Sequence, residues 1–312
     1  MEATSTIEMD PWPMHRSDAI LASARLPSHT RMKDFWELTK PRMNFLVLVT
    51  TLVGYDMATR GSIQWSRCLS TLVGTALVAA GASILNQVLE YRFDAVMPRT
   101  AHRPLPTGRV RPIEARLCGI ALSISGTAFL AMFVNVLTAL LAVITLATYL
   151  FLYTPAKRHT TLCTLIGAVP GALPAMMGFT AAGGAITAPA LALFGILFVW
   201  QMPHFLSIAI LYRDDYAKGG FRMLPVGDDG LHMSTRQIVL YSLILIPVTL
   251  APVLLSMVGM TYFVLAIALG AAFCGVGIHW ARSRSRASAK SLFFASIIYL
   301  PALLTIMTID KR

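Results

Sequence analysis

The chain has 312 residues, 56% of them hydrophobic and only 13% charged, with a formal net charge of +11 at pH 7. That balance excludes a soluble globular domain and points to an integral membrane protein. The positive charge does not call for nucleic acid, because 22 of the 26 Lys and Arg residues fall on one side once the apolar segments are threaded through a bilayer.

Residues 1–34 mix Glu2, Glu8, Asp10 and Asp18 with prolines, serines and arginines. They hold no apolar run of signal-peptide length, and their acids argue against an organellar transit peptide. They read as a flexible cytoplasmic N-terminal tail, with 35–312 as the membrane domain. The stretch FWELTKPR, 35–42, leads into the first apolar segment. Trp36 suits the membrane interface, and Lys40 and Arg42 read chiefly as anchors there.

Nine apolar segments follow, each near the ~20 residues that a spanning helix needs: 43–59, 68–89, 115–133, 136–153, 162–182, 188–211, 237–257, 260–280 and 290–308. The third and fourth meet at Asn135 and count as two, since about 40 residues of unbroken helix would be about 60 Å long, twice the hydrocarbon thickness. The basic residues then put the N-terminus in the cytoplasm and the C-terminus across the membrane.

The second segment ends in chemistry. Asn86, Glu90 and Asp94 recur every four residues, so a continuing helix sets them on one face, drifting about 40° per step over about 12 Å. Arg99, Arg103, Arg109 and Arg111 follow in a loop broken by Pro98, Pro104, Pro106 and Gly108. Carboxylate and amide oxygens suit Mg²⁺, and guanidinium groups suit phosphate. A helix end can carry solvated acids and topology-setting bases, but three oxygen-bearing groups on one face followed by four arginines favour a site for a magnesium-bound phosphate ester.

Further along, YTPAKRHTT, 153–161, places Lys157 and Arg158 side by side at the cytoplasmic end of the fourth segment. They serve either topology and the helix dipole or an anionic ligand. The fifth segment is dense in Gly, Ala and Pro, a pattern expected to bend the backbone towards a cavity. The sixth carries Gln201 and His204 beside Pro203, a costly place for polar groups unless they are hydrogen-bonded or act as ligands. Asp214 and Asp215 then form a second acidic cluster with Lys218 and Arg222 on the same side as the first. WARSRSRASAK, 280–290, reads as a cytoplasmic anchoring loop able to attract anionic lipid. The four cysteines lack metal or disulfide spacing and read as small packing residues.

Taken together, NQVLEYRFD with MPRTAHRP, then YTPAKR, WQMPHF and YRDDYAKGG, resemble the UbiA superfamily of intramembrane prenyltransferases over about 35–308, and within it the branch that farnesylates haem. The resemblance implies an all-α polytopic fold, nine transmembrane helices around a central cavity open to the cytoplasmic side. Two departures stand out. The superfamily's first motif, N-x-x-x-D-x-x-x-D, has Glu90 at its middle position, and Tyr212 and Tyr216 stand where quinone-type members carry D-x-x-x-D.

By this resemblance Asn86, Glu90, Asp94, Asp214 and Asp215 hold Mg²⁺, while Arg99, Arg103, Lys157 and Arg158 bind the diphosphate of farnesyl diphosphate. Haem B is the acceptor, and His204 is the residue expected to meet its iron or a propionate. The setting is a bacterial inner membrane, and a haem A synthase or a terminal oxidase assembly are candidate protein partners. A prenyltransferase acting on a quinone or chlorophyll precursor, and a membrane transporter, remain the alternative readings.

Overall fold

Backbone groups in hydrocarbon must satisfy one another, and a helix does so within a single segment. The computed structural model, which describes residues 28–312, is built accordingly. Helix α1 (Ser28–Leu38) leads into α2 (Pro41–Ala58), α3 (Trp65–Asp94), α4 (Pro112–Phe133) and α5 (Val136–Ala147). A π-helical turn, Thr148–Tyr153, joins α5 to α6 (Thr154–His159). Then come α7 (Cys163–Gly183), α8 (Ala188–Leu211) and the short α9 (Arg213–Lys218), followed by α10 (His232–Leu254), α11 (Met260–Ser283) and α12 (Arg286–Ile309).

Among the described residues eight helices are long and apolar enough to cross a membrane, where nine were expected. The difference is α2, the segment expected over 43–59. Arg42, Asn44 and Asp56 lower its hydropathy, although it packs along α7 and runs from one end of the bundle to the other. The tail expected over 1–34 lies outside the described residues up to 27, and its last residues begin α1. The break at Asn135 is as expected. Its Oδ1 accepts from Thr138 N at 2.8 Å, capping α5, while its Nδ2 donates to Thr180 O at 3.0 Å.

Several of the small residues of α7 permit close packing, while Gly171, midway along the helix, is exposed. A Cβ on Gly178 would lie 1.8 Å from Thr51 O, and one on Gly54 2.0 Å from Ala175 O, so α2 and α7 touch backbone to backbone. On α7's other side Gln201 fills the space beside Gly171. In the α7 span 72% of the residues are buried, against 56% or less in the other spans, which makes it the central helix of the bundle.

The loops gather at two ends. One end holds the 95–111 loop, α6, α9 and the turn into α12. The other holds Thr59, Arg60, Lys311 and Arg312, which line a cleft of about 690 Å³. Lys311 Nζ bonds there to Asp56 O.

Candidate active site

The first end carries the chemistry. Helix α3 runs on to Asp94, so Asn86, Glu90 and Asp94 stand one above another, and all three are buried. Each has a partner. Asn86 Nδ2 donates to Thr154 Oγ1 at 2.9 Å. Glu90 accepts from Lys157 Nζ at 2.8 and 3.1 Å through its two oxygens, and Asp94 Oδ2 accepts from Arg103 Nη1 at 2.8 Å.

The π-helical turn sets this register. Thr154 Oγ1 donates to Tyr149 O, five residues back, at 2.8 Å, so its oxygen faces Asn86. The turn also stacks Tyr149 on Tyr153 at 5.6 Å between centroids and brings Lys157 to 4.5 Å from the Tyr153 ring. Such π-helical insertions recur at functional sites. Lys157 is further held by its own carbonyl, which accepts from Arg222 N at 2.6 Å.

The arginines of the loop divide by task. Arg103 meets Asp94. Arg99 lies 4.8 Å from the Tyr212 ring centroid and 5.7 Å from that of Tyr216, and its Nε is buried with no hydrogen-bond partner. Arg109 faces outward to bind Asp34, Glu37 and His102 O, which straps α1 over the loop. Gln87 Nε2 donates to Leu38 O at 2.7 Å and completes that strap. The neighbours Lys157 and Arg158 also separate, since Arg158 is exposed and lies 4.2 Å from the Phe93 ring centroid.

The second acidic pair is less closely engaged. Asp215 and Tyr216 of α9 and its flanking residues Tyr212 and Gly219 share one side, by three- and four-residue spacing, and that side meets the 95–111 loop through Arg99 and Met97. Asp215 is half-buried, whereas Asp214 is exposed. Among the described residues no three His, Cys, Asp or Glu side chains stand close enough to hold a metal ion together.

Lys40 went unassigned to the site in the sequence, where it read as an interface anchor. It sits at φ 51° and ψ 59°, left-handed and directly before Pro41. Both features disfavour that conformation, and such strain persists where surrounding structure imposes it. Burial, then the charges of Arg103 and Lys157, pull its pKa down to about 7, with Glu90 and Asp94 acting in the opposite sense. The only sequence signal is its place before a helix-starting proline.

His204 faces α12. Its ring stacks between Trp200 and Phe293, 4.9 and 5.4 Å away, and Nδ1 lies 2.8 Å from Ser296 Oγ. Ser296 donates to Phe293 O at 2.6 Å, so its oxygen accepts from Nδ1–H, and Nε2 keeps its lone pair. Phe293 in turn lines a cleft of about 510 Å³ between Tyr212 and the start of α12.

The sequence and the fold have counterparts. The chain is 45% identical over 289 residues to the protoheme IX farnesyltransferase of Solibacter usitatus, covering 90% of this chain and 99% of that relative. It is 43% identical to the Salinibacter ruber enzyme of the same name, covering 89% and 98%. Its fold matches that of a UbiA homologue from Archaeoglobus fulgidus bound to DMAPP and Mg²⁺, at TM-score 0.66 and 18% identity over 88% and 99% of the two chains. The family model describing the UbiA prenyltransferase family matches residues 47–298. That match takes in the polar stripe of α3, its partners on α6 and the second acidic pair, and the chain belongs to the UbiA prenyltransferase family.

Proposed function

We propose that this chain transfers the farnesyl group of farnesyl diphosphate to the 2-vinyl group of haem B, with water addition and release of diphosphate, so that haem O is the product. The observation that carries this reading is the 45% identity, over 99% of its length, to a relative named protoheme IX farnesyltransferase. The chemistry of the site agrees with it.

Asn86, Glu90 and Asp94 offer hard oxygens, and each carboxylate is already matched by a cation, so the residues fit Mg²⁺ in both donor type and charge. Asp215, and Asp214 beside it, would complete the site from α9. When bound, Mg²⁺ supplies Lewis-acid stabilisation of the departing diphosphate. Lys157 and Arg103 turn from the carboxylates to phosphate oxygens, and Arg99 and Arg158 join them from the loop and from α6. The unpartnered Nε of Arg99 is a donor waiting for such an oxygen.

Loss of diphosphate leaves an allylic cation, and the rings of Tyr153 and Phe221 around Lys157, with Phe93 beside Phe221, keep water from it and present π faces that favour positive charge. The terminal vinyl carbon of haem then bonds to the farnesyl carbon, and water captures the positive charge left on the porphyrin side. His204, with Nδ1 committed to Ser296, has Nε2 free to meet haem iron.

The end of the bundle that carries the site also carries most of the described cations, which supports a cytoplasmic site, a cytoplasmic N-terminus and a bacterial inner membrane. A haem A synthase or a terminal oxidase assembly would be the protein that receives the product. The test is chromatography of haems from membranes holding the chain, supplied with haem B, farnesyl diphosphate and Mg²⁺, beside Asp94→Ala. Haem O from the unmodified chain alone is the expected result. Unchanged haem B, with diphosphate released and the farnesyl group transferred when an aromatic acceptor is added, would move the reading to quinone-type prenylation.

A further inference from the structure

The cleft of about 510 Å³ at the start of α12 has no role in the reaction as described so far. It is lined by Tyr212, Arg286, Lys290, Phe293 and Phe294. Its volume lies within the range of small-molecule sites. Two cations stand at aromatic walls, Lys290 over the Phe294 ring at 5.9 Å. Arg286 and Lys290 stand one helical turn apart, so their side chains rise from the same face about 6 Å from each other. Both are exposed, and neither has an acidic partner among the described residues.

We infer that this cleft seats the acceptor, with Arg286 and Lys290 holding the two propionates of haem B and Tyr212, Phe293 and Phe294 flanking the porphyrin. The inference rests on the haem farnesylation reading and deepens it. Three features of the geometry agree. Haem carries its two carboxylates on one edge, matched by two cations on one face. The helical rise from Lys290 to Ser296 is about 9 Å, close to the span from a propionate carboxylate to the porphyrin centre, and Ser296 is the residue that orients His204. The vinyl groups lie on the edge opposite the propionates. Anchoring at α12 therefore turns that edge towards Tyr212, whose ring also meets Arg99 of the diphosphate loop at 4.8 Å.

An anionic lipid headgroup would also answer to two cations. It has no planar aromatic body to use Tyr212, Phe293 and Phe294, and it gives no reason for two of those walls to contact His204 and Arg99 in turn.

The experiment titrates haem B and haem B dimethyl ester, followed by the Soret band, into the full chain in neutral phosphatidylcholine nanodiscs, for the unmodified protein and for R286Q/K290Q. The expected result is about tenfold tighter binding of haem B than of its ester by the unmodified chain, the size of two partly exposed ion pairs, and equal binding of both by the variant. A preference for haem B that survives in R286Q/K290Q, or no preference in either protein, overturns the assignment. So does loss of bound phosphatidylglycerol from the variant in native mass spectrometry without any change in haem affinity, which would give the cleft to lipid. Haem O formation by the same samples is scored separately. Absent product with charge-dependent haem binding refutes the reaction and leaves the cleft, while normal product with charge-independent binding refutes the cleft alone.

Discussion

Lys157→Met is the sharpest perturbation of the site. The Lys157 and Glu90 side chains are only 13% and 10% exposed, and their charges meet at 2.8 Å. Removing the ammonium strands a carboxylate in low dielectric, which costs about 3–5 kcal/mol when one partner of a buried pair is lost. At pH 8, where a free glutamate is ionised, this should lower the melting temperature in nanodiscs by about 5–15 °C, taking a few degrees per kcal/mol for a chain of this size. Glu90→Gln combined with Lys157→Met removes both charges at nearly constant volume and should recover most of that loss. Neither variant should turn over, because the double variant restores neutrality without restoring a metal ligand or a phosphate donor. A Lys157→Met protein that melts with the parent would refute the buried pair. A double variant as unstable as the single one would place the cost in the packing of the lysine stem instead. Turnover by the double variant would remove both residues from the chemistry.

Three further expectations follow from other parts of the molecule. His204→Ala should weaken haem B binding, measured by Soret titration, far more than farnesyl diphosphate binding; equal losses would make the imidazole structural. Gly178→Ala should cost about 1–3 kcal/mol by melting, since its new methyl would meet Thr51 O at 1.8 Å and force α2 from α7. A parent-like melt would mean that the two helices are not in backbone contact. Lys40 releases its proton at about 7 in the folded chain, against 10.5 for an ordinary lysine. The unfolded chain therefore holds more protons between these values, and stability should rise with pH from about 7 to about 10. Lys40→Met should flatten that rise in a pH series of melts; the same slope in both proteins would take Lys40 out of the cluster.

The stripe of Asn86, Glu90 and Asp94 was legible because helical periodicity acts within one segment, and an apolar run before it fixes the segment as helix. The two-helix reading at Asn135 was legible for a similar reason, since bilayer thickness limits any one run. What lay beyond reach depends on approaches between segments. Asp214 and Asp215 are adjacent in sequence, and only the packing of the Tyr212–Tyr216 face against Arg99 of the 95–111 loop separates the half-buried one from the exposed one. Lys40 enters the site because Pro41 starts α2 there and a left-handed turn precedes it. The π-helical turn that aims Thr154 at Asn86 has no composition signal, because one extra residue per turn is a matter of register. The glycines of α7 were ambiguous for an allied reason. Small residues permit either a void or close contact; Gly178 meets the backbone of α2, whereas Gly171 is exposed.

The two ion pairs carry a further consequence for how ligands enter. With Lys157 on Glu90 and Arg103 on Asp94, the stripe is electrically balanced before any ligand arrives. Mg²⁺ entering alone would have to displace two cations into a buried site with no anion to receive them. Diphosphate entering alone would draw those cations away and strand two carboxylates. Each ligand thus removes the penalty that the other would face, and the two should bind with positive coupling, equal in both directions by linkage. Calorimetric titration of Mg²⁺ should give an affinity at least about fivefold higher with inorganic diphosphate saturating than without it, after correction for the metal–diphosphate complex in solution, as befits a coupling of about 1 kcal/mol or more. In the neutralised Glu90→Gln/Lys157→Met chain that coupling should shrink, since one of the two exchanges no longer exists. Equal coupling in both proteins would mean that the Glu90–Lys157 pair does not open when substrate binds.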